Sequence, residues 1–95
     1  MGANVADPIQ DNIERSRFEL DVDGQVVFAS YRRQGEVLAI YHVEAPPQLR
    51  GTGAAGKLMT GVAEIARQEG RKITPYCGYA AAWLRRHKEY HDLLA

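Results

Sequence analysis

Ninety-five residues, 45% of them apolar and 25% charged, suit one folded domain with one core, and exclude both a disordered chain and a second independent core. Twelve basic side chains balance twelve acidic ones, so no net field draws the chain to nucleic acid or to an anionic membrane, and its ligand must be recognised locally. Cys77 is the single cysteine, which excludes an internal disulfide and a multi-cysteine zinc site.

A lone thiol suits a reducing compartment. No stretch reaches the roughly 18 apolar residues of a membrane helix, and the polar N-terminus lacks the apolar centre of a signal peptide, so a cytoplasmic protein is expected. Residues 1–12 mix Gly, Asn, Asp and Pro without periodicity and are expected to form a flexible arm, with the domain spanning 13–95.

From Arg17 the side chains alternate, with Phe18, Leu20 and Val22 on one face and Arg17, Glu19 and Asp21 on the other, as in a half-buried strand. Asp23-Gly24 is a hairpin turn, since both positions tolerate positive φ, and the return strand covers Gln25 to Arg32. A second turn at Gln34-Gly35 leads into Val37 to Val43, apolar on both faces and therefore expected as a central strand covered on both sides. Pro46 and Pro47 end it, because proline removes a ladder donor and restricts the residue before it.

Beyond Gly53 the period changes. Ala55, Leu58, Met59, Val62, Ala63 and Ala66 recur at helical steps up to Gly70, a C-terminal cap. A short strand is expected within Arg71 to Tyr76, then a helix from Tyr79 to about His87 with Ala80, Trp83, Leu84 and His87 on one stripe. The order β-β-β-α-β-α implies an α+β fold: a mixed sheet, because the last strand follows a crossover helix, with helices packed on it.

Between the central strand and the long helix lies Arg50-Gly51-Thr52-Gly53-Ala54-Ala55-Gly56, where small residues let a ligand approach the backbone. The first N–H groups of a helix lack internal partners and carry the positive end of its dipole, so this loop suits a phosphate, with Arg50 adding a charged contact. Gly51 to Lys57 has the spacing of a nucleotide phosphate loop, but Leu58 stands where a magnesium-binding Ser or Thr is needed. A dinucleotide fingerprint fails as well, for want of GxGxxG after a βαβ strand. The bland alternative is that these glycines only permit close helix–sheet packing.

At these residues the sequence resembles the GNAT acetyltransferases. Gln48-x-x-Gly51-x-Gly53 matches the Gln/Arg-x-x-Gly-x-Gly/Ala signature with which they hold the coenzyme A pyrophosphate. His42-Val43-Glu44-Ala45-Pro46, Pro75-Tyr76-Cys77 and Arg85-Arg86-His87-Lys88-Glu89-Tyr90, taken with the loop, resemble the small single-domain GNAT-like family, over about Phe18 to Tyr90. The resemblance implies a minimal GNAT fold that binds acetyl-CoA and transfers acetyl to an amine. It implies cofactor contacts at Val43 and Glu44, at Gln48, Arg50, Gly51, Thr52, Gly53, Ala54, Ala55 and Gly56, and at Cys77. Larger GNAT enzymes wall the acceptor site with helices after their first strand; here the Asp23-Gly24 turn replaces them, so an open acceptor cleft with room for a protein or peptide amine is expected. A non-catalytic acyl-CoA-binding or interaction module with the same fold stands as the alternative.

Acetyl transfer needs a base, an oxyanion donor and a proton for the leaving thiolate. His42 and Glu44 share a strand face near where the family places the thioester, and either can take a proton directly or through water; the alternative is a structural His and a solvated Glu. Cys77 stands between a strand and a helix N-terminus, a place that favours thiolate, so it is a candidate acetyl carrier or a small residue lining the pantetheine channel. His87 and His91 have the spacing for metal ligation but no recognisable third ligand, so no metal is expected.

Overall fold

The computed structural model describes residues 9–95 as a five-stranded sheet in the order β1-β2-β3-β4-β5 with helices on it, the expected α+β class. The strands are β1 (Ile9–Asn12), β2 (Arg17–Val22), β3 (Gln25–Gln34), β4 (Val37–Glu44) and β5 (Lys72–Pro75). Helix α1 (Ala54–Glu69) links β4 to β5, and helix α2 (Gly78–Arg86) leads into a closing 3₁₀ segment, Lys88–Leu93. The first four strands form an antiparallel meander and β5 pairs parallel to β4, which makes the sheet mixed. No helix is long and apolar enough to cross a membrane among the described residues.

The expected order gains a strand at its start. Residues 9–12, expected as the end of a flexible arm, pair with β2 from Ile9↔Leu20 to Asn12↔Arg17; residues 1–8 of that arm lie outside the described residues. Side chains explain the correction. Asn12 Nδ2 donates to Glu19 at 3.0 Å and its Oδ1 caps the following turn by accepting from Arg15 N, while the Asp11 carboxylate accepts from the Tyr31 hydroxyl and from Arg33 at 2.9 Å. Gly61, buried in the middle of α1, faces Ile9, and any Cβ there would collide with that side chain. A helix tolerates the glycine, at about 1 kcal/mol against alanine, because it lets β1 close the sheet under the helix.

Alternation does the rest. Phe18, Leu20, Val27, Ala29, Leu38 and Ile40 point to one side of the sheet and meet Leu58, Met59 and Val62 of α1 and Trp83 and Leu84 of α2. Full burial of such side chains contributes roughly 1.5–3 kcal/mol each. The other face carries Arg17, Glu19, Phe28, Ser30, His42 and Glu44, with no helix over it among the described residues. The coverage on both sides expected for Val37 to Val43 is therefore not found: Leu38, Ala39 and Ile40 are buried, but Tyr41 and His42 are exposed.

One polar cluster ties the layers together. Arg33 on β3 grips Glu69 at the end of α1 with two bonds, at 2.9 and 2.7 Å, and Arg71 adds a third at 2.9 Å. The Arg33 contact, helped by Arg71 and opposed by partial burial, holds the Glu69 carboxyl below its ordinary value of 4.5. A depressed native value stabilises the fold above pH 4.5, and that contribution is lost as pH falls through it. Glu69→Gln should therefore lower stability at neutral pH and flatten the loss of stability on acidification. Urea midpoints measured for both proteins from about pH 7 down to about pH 3 check this. Parallel acid limbs would refute it.

Candidate functional site

A bulge in β4 opens the site. Ser30 pairs with His42 and Tyr31 with Ile40, which leaves Tyr41 without a partner on β3 and turns the end of β4 away. The last bond between β4 and the segment after β5 is Tyr76 N to Ile40 O at 2.8 Å. Beyond it the two strands part, and the outer edge of β4 from Tyr41 to Glu44 faces a gap instead of a neighbour.

The glycine loop closes one side of this gap. Pro47–Leu49 forms a 3₁₀ turn, Arg50 Nε donates to Ala45 O at 3.1 Å, and the Thr52 hydroxyl donates to Leu49 O at 2.5 Å, so the loop is braced by its own groups. Gly51 and Gly53 have φ of 80° and 89°, and Gly53 is the N-cap of α1. Gly53 supplies no side-chain cap and the first turn holds no acidic residue; Thr52 Oγ1 accepts from Ala54 N at 3.3 Å. Among the described residues the N–H groups of Gly51, Gly53, Ala55 and Gly56 have no acceptor. Most helices fill this position with Ser, Thr, Asp or Asn, worth about 1 kcal/mol, so a Gly-Ala-Ala-Gly start leaves donors free for a negatively charged ligand. The terminal nitrogens of Arg50 also have no partner among the described residues.

Gap and loop together bound a cleft of about 650 Å³, lined by His42 to Ala45 of the β4 end, Leu49 to Gly51 with Gly53, Ala55 and Gly56 of the loop and helix, and Tyr79 of α2. His42 Nε2 lies 2.8 Å from Glu44 Oε1, both side chains more than half exposed. With a carboxylate as acceptor, Nε2 is the donor and Nδ1 keeps the free lone pair. Tyr79 carries the sole hydroxyl among the described lining residues. Burial pushes its pKa above the ordinary 10, with Arg86 pulling the other way, so it stays a neutral O–H donor at neutral pH.

Of the residues singled out in the sequence, the cleft brings together His42, Val43, Glu44, Arg50, Gly51, Gly53, Ala55 and Gly56. Gln48 is exposed on the 3₁₀ turn, Thr52 turns into the loop, Ala54 is buried in the core, and Cys77 is the N-cap of α2 packed against the core; none of these four lines the cleft. Tyr79 escaped notice because it adjoins the apolar stripe of α2 and reads as a helix start. Its signal was an aromatic residue off that stripe, next to the segment resembling the family. The rings of His87 and His91 are engaged by the carbonyls of Trp83 and Arg85, and no three metal-ligating side chains converge among the described residues.

Residues 17–93 match the GCN5-related N-acetyl-transferase family. The chain belongs to this family, whose fold supports acyl transfer in general. The solution NMR structure of a candidate GCN5-like N-acetyltransferase from Staphylococcus aureus superposes with a TM-score of 0.73 at 26% identity, covering 92% of this chain and 86% of that one. No curated protein matches the chain.

Proposed function

We propose that the protein is an acetyl-CoA-dependent N-acetyltransferase acting on an amine of a peptide or protein. The observation that supports this most directly is the set of four amides unpaired among the described residues, of Gly51, Gly53, Ala55 and Gly56, at the wall of a cleft in a chain of this family. They suit a pyrophosphate, with the Arg50 guanidinium beside it. The free edge of β4 suits the amides of the pantetheine arm, which can pair with it as a strand would. Acetyl-CoA supplies an activated acetyl thioester there.

The protein's own groups then divide the remaining work. Glu44 holds the His42 ring by Nε2 and leaves Nδ1 to accept a proton from the amine. Tyr79, whose hydroxyl lies 4.0 Å from where a Cβ on Gly56 would stand, offers an O–H to the departing sulfur. Mass spectrometry after incubation with labelled acetyl-CoA and a peptide library tests the proposal: labelled peptide and free coenzyme A support it, whereas absence of coenzyme binding refutes it. Tight binding without turnover on any amine would favour the acyl-CoA-binding module, a reading that the solvent-exposed His42–Glu44 pair keeps in play.

Cys77 needs no covalent role in this scheme, since its side chain lies outside the cleft lining. Cys77→Ser should keep coenzyme A affinity and turnover within about twofold, and acetyl-CoA alone should leave no acetyl mass on the protein. A hydroxylamine-labile adduct lost in the serine variant would overturn this and make Cys77 the carrier.

A further inference from the structure

On the uncovered face of the sheet, two tyrosines stand where β4 and β5 part. Tyr41 is the bulged residue and Tyr76 donates the last inter-strand bond from its backbone N–H; their rings stack at 5.1 Å and 8°, and they remain 42% and 63% exposed. Thr74 pairs with Ala39, on the face opposite Leu38 and Ile40, and two residues on Tyr76 returns to that same face, which His42 and Glu44 continue beyond the bulge. The pair therefore flanks the mouth of the cleft on the side away from the helices.

Four other rings lie under a guanidinium, although Tyr79 and Trp83 do not among the described residues. Arg17 lies over Phe28 at 4.3 Å, Arg33 over Tyr31 at 5.0 Å and Phe18 at 5.7 Å, and Arg67 over Tyr90 at 5.1 Å. Among the described residues no cation covers Tyr41 or Tyr76, although they are the more exposed. Ring faces carry negative potential, and the Glu44 carboxylate further along the same face, 52% exposed, is engaged only by an imidazole among the described residues. Uncovered π faces on the same side of the sheet as a carboxylate complement a positive charge supplied from outside.

We infer that Tyr41 and Tyr76 form an acceptor subsite that takes a lysine or arginine side chain of a basic peptide, holding it while a neighbouring amine enters the cleft. This rests on the proposed acetyltransferase reading and adds the class of acceptor. Rigid stacked rings recognise a cation at little conformational cost, because each tyrosine has few torsions to freeze.

The test is calorimetric titration of the coenzyme A-saturated protein with two six-residue peptides that differ only in lysine against norleucine. The lysine peptide should bind roughly tenfold tighter, the preference expected of one outer ring face of the stacked pair. Tyr41→Ala and Tyr76→Ala together should reduce the preference to within about twofold, and the paired phenylalanine variants should keep it. Equal affinities, no binding of either peptide, or a preference that survives in the double alanine variant would overturn the inference. So would sedimentation showing that a second copy of the chain covers the pair. Coenzyme A affinity, read in the same titrations, separates the two failures: if it is intact while peptide discrimination is absent, only the acceptor subsite falls.

Discussion

Replacing Gly53 with valine should weaken coenzyme A binding about 100-fold while leaving the protein folded. Gly53 stands at the N-cap of α1 with φ of 89°, lines the cleft, and has no atom within 4 Å of a would-be Cβ, so the new side chain enters the space where the ligand meets the free amides. Hydrogen bonds to a charged group are worth about 1.5–3 kcal/mol each, and losing two of them amounts to two decades of affinity or more. A left-handed backbone also strains a β-branched residue, by roughly 1–2 kcal/mol. Gly35 supplies the control, since its φ is 62°, its Cβ direction is equally open, and it lies in the β3–β4 turn outside the cleft. Gly35→Val should show comparable destabilisation with unchanged coenzyme A affinity by calorimetric titration. Equal affinities for all three proteins would remove the loop from the binding site.

Much of this arrangement was readable in the chain because it depends on local physics. The Asp23-Gly24 turn, the proline stop after Glu44 and the Gly53–Gly70 limits of α1 each follow from backbone rules acting over a few residues. What was missed depends on contacts distant in sequence. β1 has only four residues with no strong pattern, and its stability comes from Asp11 reaching Tyr31 and Arg33 and from Ile9 meeting Gly61. Gly61 was nonetheless a clue, since a glycine buried in the middle of a helix implies a close neighbour. The bulge at Tyr41 left no mark on the apolar run around it; only pairing with Ser30 and Tyr31 reveals it, and through it the gap between β4 and β5. Loss of Cys77 from the cleft has a similar cause. Its position before a helix was legible, but the direction of its side chain is set by packing on the core.

His42→Ala should lower turnover roughly 100-fold or more with coenzyme A affinity within about twofold of the native protein. The argument starts from the bulge, which sets His42 and Glu44 on the uncovered face at the cleft mouth, and from their 2.8 Å contact, which leaves Nδ1 as the free base. Removing the ring deletes the proton acceptor. Glu44→Gln should cost less, roughly tenfold, because the amide oxygen can still accept from Nε2 but no longer stabilises the imidazolium that forms during transfer. Added imidazole should restore part of the turnover of His42→Ala and none of the loss in Glu44→Gln, since only the former leaves a vacancy of that shape. Steady-state rates at saturating acetyl-CoA, with and without imidazole, measure all three effects. If His42→Ala and Glu44→Gln both keep native turnover and its pH dependence, the proton leaves the amine by another route and the pair is a solvated ornament of the strand end.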